Sequence, residues 1–332
     1  MVDTDALNES LELIILPTEE CNFRCVYCYE DFKIKKMGRA TIDSIKKFLE
    51  LRVPDLKVLK FQWFGGEPLL ALDVIEEISS HAARAIAKSG GNTAFIGTAT
   101  TNGSLLNITN LKKLISLNVS SFQISFDGDL EEHDKLRLSA AGAGTFNTIW
   151  KNIIDAKRSD LRFNIIMRIH ANQNNQSSIK RLLERISTEI GQDSRFVIHI
   201  RELSKLGGKN DALLPIDNDT NTVIRLRDYC RSLGLTTLNF DIYKKDFAHV
   251  CYAAKPNSYV IRANGDISKC TVALYSDFNR VGHINQDGTL ELDRDKILDW
   301  SRGLFSGQKE ERECPLHGFP RYKKIMSDLK SQ

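Results

Sequence analysis

Strand-like and helix-like segments alternate six times between residue 11 and about residue 234. The strand-like segments are short apolar runs, such as residues 11–16, while the helix-like segments repeat apolar residues every three or four positions, as Ile42, Ile45 and Phe48 do. Six βα units predict parallel strands, and they are fewer than a closed eight-stranded barrel needs. The pattern therefore predicts an α/β fold, a partial and open (βα)6 barrel. The predicted strands cover residues 11–16, 58–64, 93–100, 120–126, 163–170 and 196–203, and the predicted helices cover 41–52, 70–88, 108–117, 145–158, 176–190 and 220–233.

The alternation stops at about residue 235. Residues 258–263 and 266–272 are strand-like runs separated by Asn264-Gly265, a pair typical of a β-hairpin turn. We therefore divide the chain into two predicted domains, a barrel at 1–234 and a small hairpin-containing domain at 235–332. The second domain has too little apolar core to fold alone without added stabilisation from metal centres or disulfides.

Charge and hydropathy exclude several function classes. The formal net charge is +3, with basic and acidic residues mixed throughout, so charge does not indicate a nucleic-acid partner. The first ten residues lack the apolar core of a secretory signal. No apolar run approaches the roughly 18 residues of a membrane span. We expect a cytoplasmic protein that binds neither membrane nor nucleic acid.

Three of the seven cysteines, Cys21, Cys25 and Cys28, lie within eight residues in the pattern C-x3-C-x2-C. They follow the first predicted strand, at the end of a barrel where active sites form. In a reducing cytoplasm, such cysteines are better candidates for metal ligands than for disulfides. Three thiolates can ligate three irons of a [4Fe–4S] cluster and leave the fourth iron open. A zinc site with a remote fourth ligand is the alternative.

The cysteine motif, with Tyr27 before its last cysteine, resembles the CxxxCxΦC signature of the radical S-adenosylmethionine (SAM) superfamily. Three further motifs follow predicted strands in the matching order. They are Gly65-Gly66-Glu67-Pro68, Thr101-Asn102-Gly103, and Ser125-Phe126-Asp127-Gly128 with His133-Asp134 and Arg137. Each motif is weak alone, but four at successive strand ends make the resemblance specific.

The resemblance implies a [4Fe–4S] cluster on the three cysteines, with SAM bound beside it. The backbone of Gly65 and Gly66 and the carboxylate of Glu67 would meet the amino group of SAM. Ser125 would face its ribose, and Arg137 would reach its carboxylate with a bidentate fork. Asn102 and Asp127 complete the expected cofactor-binding residues. The implied chemistry uses a one-electron reductant, cleaves SAM to a 5′-deoxyadenosyl radical and abstracts hydrogen from a substrate.

The later cysteines form a second group. Cys251, Gly265 and Cys270 read C-x13-G-x4-C, which resembles the opening of SPASM or twitch auxiliary-cluster domains. Cys314-Pro-Leu-His317 lies where those domains usually carry C-x2-C. We expect one auxiliary [4Fe–4S] cluster on Cys251, Cys270 and Cys314, with its fourth iron either ligated by His317 or left open for substrate. A zinc site using the same four residues is the alternative.

Several other polar residues and one cysteine have less specific patterns. Cys230 shares a helical face with apolar residues and is expected to be a buried structural thiol. His170 and His199, with Arg168 and Arg201 in the same predicted strands, are candidates to face the barrel interior.

The combined motifs most resemble maturases of ribosomally made peptides and anaerobic sulfatase-maturing enzymes. Our hypothesis is oxidative modification of a peptide, as a thioether or carbon–carbon crosslink. The alternatives are radical oxidation of a small alcohol or sugar, sulfatase-maturase-like oxidation, and a non-catalytic zinc-stapled binding module. The sequence before the first strand is too short for a peptide-recognition domain, so we expect a separate protein or the barrel surface to recognise a leader.

Overall fold

The computed structural model describes residues 9–217, 219, 221–238 and 250–319. Parts of both predicted domains (1–8, 239–249 and 320–332) and the start of the helix predicted at 220 lie outside these residues. The strands are β1 Ser10–Thr18, β2 Val58–Gly65, β3 Ala94–Thr101, β4 Val119–Phe126, β5 Asn164–Ala171, β6 Phe196–Glu202, β7 Ser258–Ile261, β8 Asp266–Ser268, β9 Arg280–Ile284 and β10 Leu290–Leu292. The helices are α1 Arg39–Arg52, α2 Leu72–Lys88, α3 Ile108–Ser116, α4 Leu130–Leu136, α5 Phe146–Lys157, α6 Gln176–Glu189, α7 Thr222–Ser232, α8 Arg294–Ser301, α9 Gly303–Ser306 and α10 Lys309–Glu313.

The first six strands form the parallel core of the fold. They are neighbours in chain order from β1 to β6, and each pair is parallel. In the described residues the sheet order runs from β10 to β6 without closing. This confirms the predicted α/β fold and its partial barrel of six βα units.

The two faces of the sheet bury different side chains. Leu13 and Ile15 of β1 belong to a large apolar cluster that includes Ile45 and Phe48 of α1. Residues that alternate with these along β1 belong to a second cluster on the inner face. The inner cluster comprises Ile14, Leu16, Val260 and Leu274, with Tyr29, Phe64 and Tyr252 packed against it. The barrel interior therefore has an apolar wall around β1 and β7.

The C-terminal strands continue the same sheet. β7 pairs parallel with β1, and β8, β9 and β10 follow it in antiparallel order. The predicted hairpin is confirmed, with Gly265 at φ 88° in its turn. Its second strand is shorter than expected because the backbone N–H groups of Lys269 and Cys270 donate to Oδ1 of Asn279. The division into domains at residue 235 stays a prediction.

No helix in the described part of the chain combines the length and apolar character required to cross a bilayer.

Candidate cofactor site and active site

The cysteine loop leaves the carboxyl end of β1 and is held against the segment that follows α4. The backbone N–H of Arg24 donates to the carbonyl oxygen of Leu138 at 2.8 Å, and that of Val26 donates to Leu136 at 2.9 Å. Nδ2 of Asn210 donates to the carbonyl oxygen of Val26 at 2.9 Å. The loop is thus fixed from two sides, at the end of the barrel where the sequence placed it.

The three thiols of this loop act on one another electrostatically. Burial raises the pKa of Cys21 to about 12, and the charges of Glu67, Cys25 and Cys28 add to the effect. Burial also raises the pKa of Cys28 to about 12. Such thiols ionise only when a positive charge compensates the thiolate. A bound metal centre supplies that charge, so its cysteine ligands are deprotonated. The donor set therefore fits an iron–sulfur cluster.

The metal-ligating side chains of the described residues do not converge on a single ion. No three His, Cys, Asp or Glu side chains among them are grouped so as to hold one metal ion.

Gly65 and Gly66 bring the end of β2 against the start of the cysteine loop. A side chain at Gly65 would place its Cβ 2.2 Å from the carbonyl oxygen of Thr18, and one at Gly66 would place it 2.4 Å from that of Glu20. These distances are too short for any residue with a Cβ. Glycine is therefore required at both positions so that the two chain segments can approach each other, a requirement that the sequence alone did not reveal.

Glu67 is fully buried and anchors two neighbouring strand ends. Its Oε1 accepts from the backbone N–H of Leu69 at 3.0 Å and from the hydroxyl of Thr101 at 2.7 Å. Its Oε2 accepts from the backbone N–H of Asn102 at 2.6 Å. Burial raises the pKa of Glu67, and these hydrogen bonds oppose that rise. Since a carboxylate has about four acceptor positions, these three hydrogen bonds leave about one of them unused.

Asn102 links this carboxylate to the cysteine loop. Its Nδ2 donates to Oδ1 of Asn22 at 2.7 Å and lies 4.0 Å from Sγ of Cys21. Its Oδ1 accepts from the backbone N–H and the hydroxyl of Ser104 at 2.9 and 2.7 Å. The structure therefore joins the GGE and TNG motifs to the first cysteine. Sequence reasoning did not identify Asn22 as a member of this network, because Asn22 occupies a variable position of the C-x3-C-x2-C motif.

Asp127 is fully buried at the end of β4 and ties the cysteine loop to β5. Its Oδ2 accepts from the phenol of Tyr27 at 2.8 Å, and its Oδ1 pairs with Nδ1 of His170 at 3.0 Å. Burial favours a raised pKa for Asp127, but the hydrogen bond and charge of His170 and the charge of Arg137 lower it overall. Burial lowers the pKa of His170, so a neutral imidazole donates from Nδ1 to a charged carboxylate.

Arg137 joins the same network from the other side of Tyr27. Its Nη1 donates to the Tyr27 hydroxyl at 2.6 Å, and its guanidinium lies 5.7 Å from the centre of the Phe23 ring. Its buried Nε has no hydrogen-bond partner within the described residues. A buried N–H without an acceptor costs free energy, so this atom fits a site that receives an anionic ligand.

Ser125 lies on the inner face of β4. It is half-buried between Ile124 and Phe126, which belong to the outer core, and it is in register with Arg168 of β5. This inner-face position is compatible with the expectation that Ser125 faces a ligand.

The His-Asp pair before Arg137 fixes the start of α5. Oδ1 of Asp134 accepts from the backbone N–H groups of Thr145 and Phe146 at 2.8 and 2.9 Å. The Thr145 hydroxyl donates to the carbonyl oxygen of Arg137 at 2.6 Å and lies 3.3 Å from Nε2 of His133. These two residues therefore hold the backbone of Arg137.

The three C-terminal cysteines also lie within electrostatic reach of one another. Burial raises the pKa of Cys251 to about 11, and the charges of Cys270 and Cys314 contribute to the rise. Cys314 is exposed, as is His317, whose backbone N–H donates to the carbonyl oxygen of Cys314 at 3.0 Å. The backbone N–H of Cys251 also donates to the carbonyl oxygen of Arg312 at 3.0 Å, two residues before Cys314. The auxiliary ligand set and the role of His317 stay predictions.

Buried polar residues that sequence reasoning missed hold these cysteines in place. Asn279 is fully buried, and its Nδ2 donates to the carbonyl oxygens of Cys270 and Ala273 at 2.8 and 2.9 Å. Nη2 of Arg302 donates to the carbonyl oxygen of Pro315, next to Cys314, at 2.6 Å. No periodic pattern or motif marks either residue.

The two cysteine groups border one interior. The carboxylate of Glu19, beside the first group, is buried against the guanidinium of Arg262 on the hairpin, with N–O distances of 2.5 and 3.1 Å. Burial raises the pKa of Tyr29, and the charges of both Cys28 and Cys270 contribute. Tyr29, next to Cys28, and Tyr252, next to Cys251, both pack against the inner apolar cluster, so this cluster borders both groups.

Comparison with known proteins identifies the family. The radical SAM superfamily model matches residues 15–186, just over half of the chain. The chain belongs to the radical SAM superfamily. The superfamily uses a [4Fe–4S] cluster and SAM, and its membership makes the chain an enzyme. The non-catalytic zinc-stapled module is therefore set aside.

Three known proteins are similar to this radical SAM enzyme in sequence or in structure. A cysteine-type anaerobic sulfatase-maturating enzyme of Clostridium novyi is 25% identical over 310 residues, covering 86% of this chain and 79% of that protein. The structure of anSMEcpe with bound AdoMet and Cp18Cys peptide has a TM-score of 0.68 at 20% identity, covering 92% of this chain and 88% of that one. Streptococcus suis SuiB bound to precursor peptide SuiA has a TM-score of 0.57 at 14% identity, covering 81% and 61%. The structural likenesses show the shared fold.

Proposed function

We propose that this radical SAM enzyme oxidatively modifies a side chain of a peptide, forming a thioether or carbon–carbon crosslink. The observation that carries the proposal is that both cysteine groups border the inner apolar cluster, against which Tyr29, next to Cys28, and Tyr252, next to Cys251, both pack. An oxidation needs an acceptor for the electron left on the substrate, and a second cluster beside the same interior would provide one. The peptides bound by anSMEcpe and SuiB support a peptide substrate.

The residues proposed to hold the cofactors are those that the motifs predicted. Cys21, Cys25 and Cys28 would hold the cluster. The residues proposed to bind SAM are Gly65, Gly66, Glu67, Asn102, Ser125, Asp127 and Arg137. When bound, this pair of cofactors supplies the radical that removes a hydrogen atom from the substrate.

Cys251, Cys270 and Cys314 would hold one auxiliary [4Fe–4S] cluster. His317 is proposed as the ligand of the fourth iron. Because an imidazole carries no negative charge, it should raise the potential of a cluster relative to a thiolate and make it a better electron acceptor.

The oxidation balances as follows. A crosslink joins two substrate positions, and each of them loses one hydrogen. One hydrogen leaves as an atom and ends in 5′-deoxyadenosine, while the other leaves as a proton. The remaining electron needs a one-electron acceptor, which an auxiliary cluster held by Cys251, Cys270 and Cys314 would supply before an external acceptor takes the electron. The electron that cleaves SAM comes from a separate one-electron reductant.

The chain itself supplies a dry and rigid reaction space. The inner apolar wall of Ile14, Leu16 and Val260 excludes water beside the proposed clusters. The linked side chains of Arg137, Tyr27 and Asp127 hold the cysteine loop at a fixed position relative to β4. Both features favour reaction of a substrate radical with the second substrate position rather than with water.

A second candidate is oxidation of a protein side chain without crosslinking, as the name of the Clostridium novyi relative suggests. This reaction would use the same residues. Oxidation of a small alcohol or sugar remains the further alternative.

The test is co-expression with a short cysteine- or aromatic-rich peptide encoded beside this chain's gene. We expect the peptide to lose two hydrogens for each 5′-deoxyadenosine formed, with fragmentation showing a link between two residues. Loss of the same mass or conversion to an aldehyde without a link would favour the second candidate. If no peptide changes while a small alcohol or sugar is oxidised, the proposal is wrong.

A further inference from the structure

The inner face of β5 and β6 carries a block of basic side chains. The register pairs Arg168 with His199 and His170 with Arg201. The alternate residues Met167, Ile169 and Ile200 belong to the outer apolar core, so the four basic residues face the interior. The block lies at the carboxyl ends of the strands, beside Ser125, which is in register with Arg168.

The charges of this block are poorly compensated. Burial lowers the pKa of Arg168, and the positive charge of Arg201 lowers it further, while the charge of Asp127 opposes this. Asp127 already accepts from Tyr27 and pairs with His170. Arg168 is half-buried, and its buried Nε has no acceptor in the part of the chain that the structure describes. Neither Arg168 nor Arg201 forms an ion pair with another described residue.

A half-buried guanidinium whose buried Nε lacks an acceptor, as that of Arg168 does, is costly in the absence of a ligand, and the exposed Arg201 adds a second positive charge nearby. A planar guanidinium matches a carboxylate with two parallel hydrogen bonds. The nearby negative charge of Asp127 favours a singly charged carboxylate over a doubly charged phosphate, because its repulsion grows with the charge of the ligand.

We infer that Arg168 and Arg201 form an anion subsite that receives a carboxylate carried by the substrate peptide, an inference that rests on the proposed function. The subsite lies on the same inner face of the sheet as the apolar wall of β1 and β7, and Arg168 is in register with Ser125, a residue proposed for SAM. It therefore anchors the substrate at one end while an apolar segment lies along the wall.

The test uses the anaerobically reconstituted protein with SAM and two small probes, N-acetyl-aspartate amide and its uncharged isostere N-acetyl-asparagine amide. Ligand-observed NMR measures binding of each probe. We expect only the aspartate probe to bind, and Arg168→Gln or Arg201→Gln to weaken it about tenfold or more. Arg168→Lys should rescue binding only in part, since lysine keeps the charge and loses the fork. Arg162→Gln, an exposed arginine at the other end of the sheet, is the matched control and should leave binding unchanged.

The same variants are tested for SAM affinity and for SAM cleavage without substrate, both of which should stay as in the unmodified protein. Equal binding of both probes, no binding of the aspartate probe, or no effect of either Gln variant would overturn the inference. Displacement by inorganic phosphate at far lower concentration would overturn the carboxylate assignment. Loss of SAM binding would instead assign the arginines to the cosubstrate. The probe assay requires no peptide modification, so failure of the subsite and failure of the proposed function are separate results.

Discussion

The phenol of Tyr27 donates a 2.8 Å hydrogen bond to Oδ2 of Asp127 and thereby joins the cysteine loop to the carboxyl end of β4. The Tyr27 hydroxyl also accepts from Nη1 of Arg137. One side chain within the C-x3-C-x2-C motif therefore connects two residues of the later motifs. The motifs are parts of one hydrogen-bonded unit, although about a hundred residues separate them along the chain.

Replacing Tyr27 with Phe should loosen this unit. The change leaves a buried carboxylate oxygen and a buried guanidinium without a partner, which costs about 1–3 kcal/mol of unfolding free energy. Denaturant unfolding of the metal-free protein measures this cost, and iron per chain after reconstitution should also fall. Tyr229→Phe is the control, since the Tyr229 hydroxyl bonds Glu184 on the surface. Equal stability and iron retention in the two variants would show that the Tyr27 bond does not hold the loop.

Replacing Cys21, Cys25 and Cys28 together with Ala should abolish formation of 5′-deoxyadenosine, because these are the thiols proposed to hold the cluster that cleaves SAM. Iron should fall from about 8 to about 4 per chain if the auxiliary cluster is present. Chromatography of SAM cleavage products under strong reductant measures the activity. Cys230→Ala, a fully buried core thiol, is the control and should keep both iron and cleavage. Persistent cleavage in the triple variant would refute the assignment.

Replacing Cys251, Cys270 and Cys314 with Ala should remove about 4 iron atoms per chain and leave substrate-free SAM cleavage intact. Substrate oxidation should be lost, because its electron has no acceptor. Metal analysis that finds zinc in the unmodified protein and no change in iron would favour the zinc alternative.

His317→Ala tests the fourth ligand of the auxiliary cluster. If a hydroxide or thiolate from solution replaces the neutral imidazole, the added negative charge should lower the midpoint potential of this cluster. Redox titration followed by electron paramagnetic resonance measures it. His283→Ala on β9 removes a half-buried imidazole that pairs with Asp266, away from the cysteines, and is the control. An unchanged spectrum and potential would mean that the fourth iron is open or has another ligand.

Glu67→Gln should weaken both SAM binding and the ends of β2 and β3. Glu67 accepts three hydrogen bonds, and the amide nitrogen of Gln would face one of those donors without accepting from it. We expect a loss of about 1–3 kcal/mol of stability and a weaker SAM affinity by calorimetry. Glu76→Gln, an exposed carboxylate on α2, is the control. Unchanged SAM affinity with lowered stability would restrict Glu67 to a structural role.

The strand order and the location of the site were predictable because both depend on local patterns. Apolar runs of strand length predicted all six parallel strands, and motifs at their carboxyl ends necessarily meet at one edge of a parallel sheet. The Asn264-Gly265 turn predicted the hairpin because its backbone conformation suits few other residues.

The long-range polar contacts were not predictable from those patterns. The Glu19–Arg262 ion pair joins residues 243 positions apart. Asn279 fixes the loop of Cys270 through amide bonds that any Asn could make. The parallel pairing of β7 with β1 depends on packing of the inner apolar cluster, so the sequence did not show that the C-terminal strands extend the barrel sheet. The short helix α4 also escaped prediction, because seven residues give too little periodicity.

His133 should make the stability of the fold depend on pH. It is fully buried among Phe126 and Phe146. The Thr145 hydroxyl uses its proton on the carbonyl oxygen of Arg137, so Nε2 of a neutral His133 donates to Thr145 and Nδ1 carries a lone pair. Burial lowers the pKa of His133 to about 3, with the charge of Arg137 adding to the effect and that of Asp127 opposing it.

The direction of this pH dependence is set by the difference in proton binding between the unfolded and the folded chain. Between about pH 6.5 and pH 3 the unfolded chain binds a proton at this position and the folded chain does not, so stability falls as pH falls. The slope for one proton is about 1.4 kcal/mol per pH unit well below pH 6.5. Denaturant unfolding of the metal-free protein between about pH 7 and pH 5 measures it, and His133→Gln should flatten the curve by one proton. Parallel curves for the unmodified protein and His133→Gln would contradict a neutral, buried imidazole at this position.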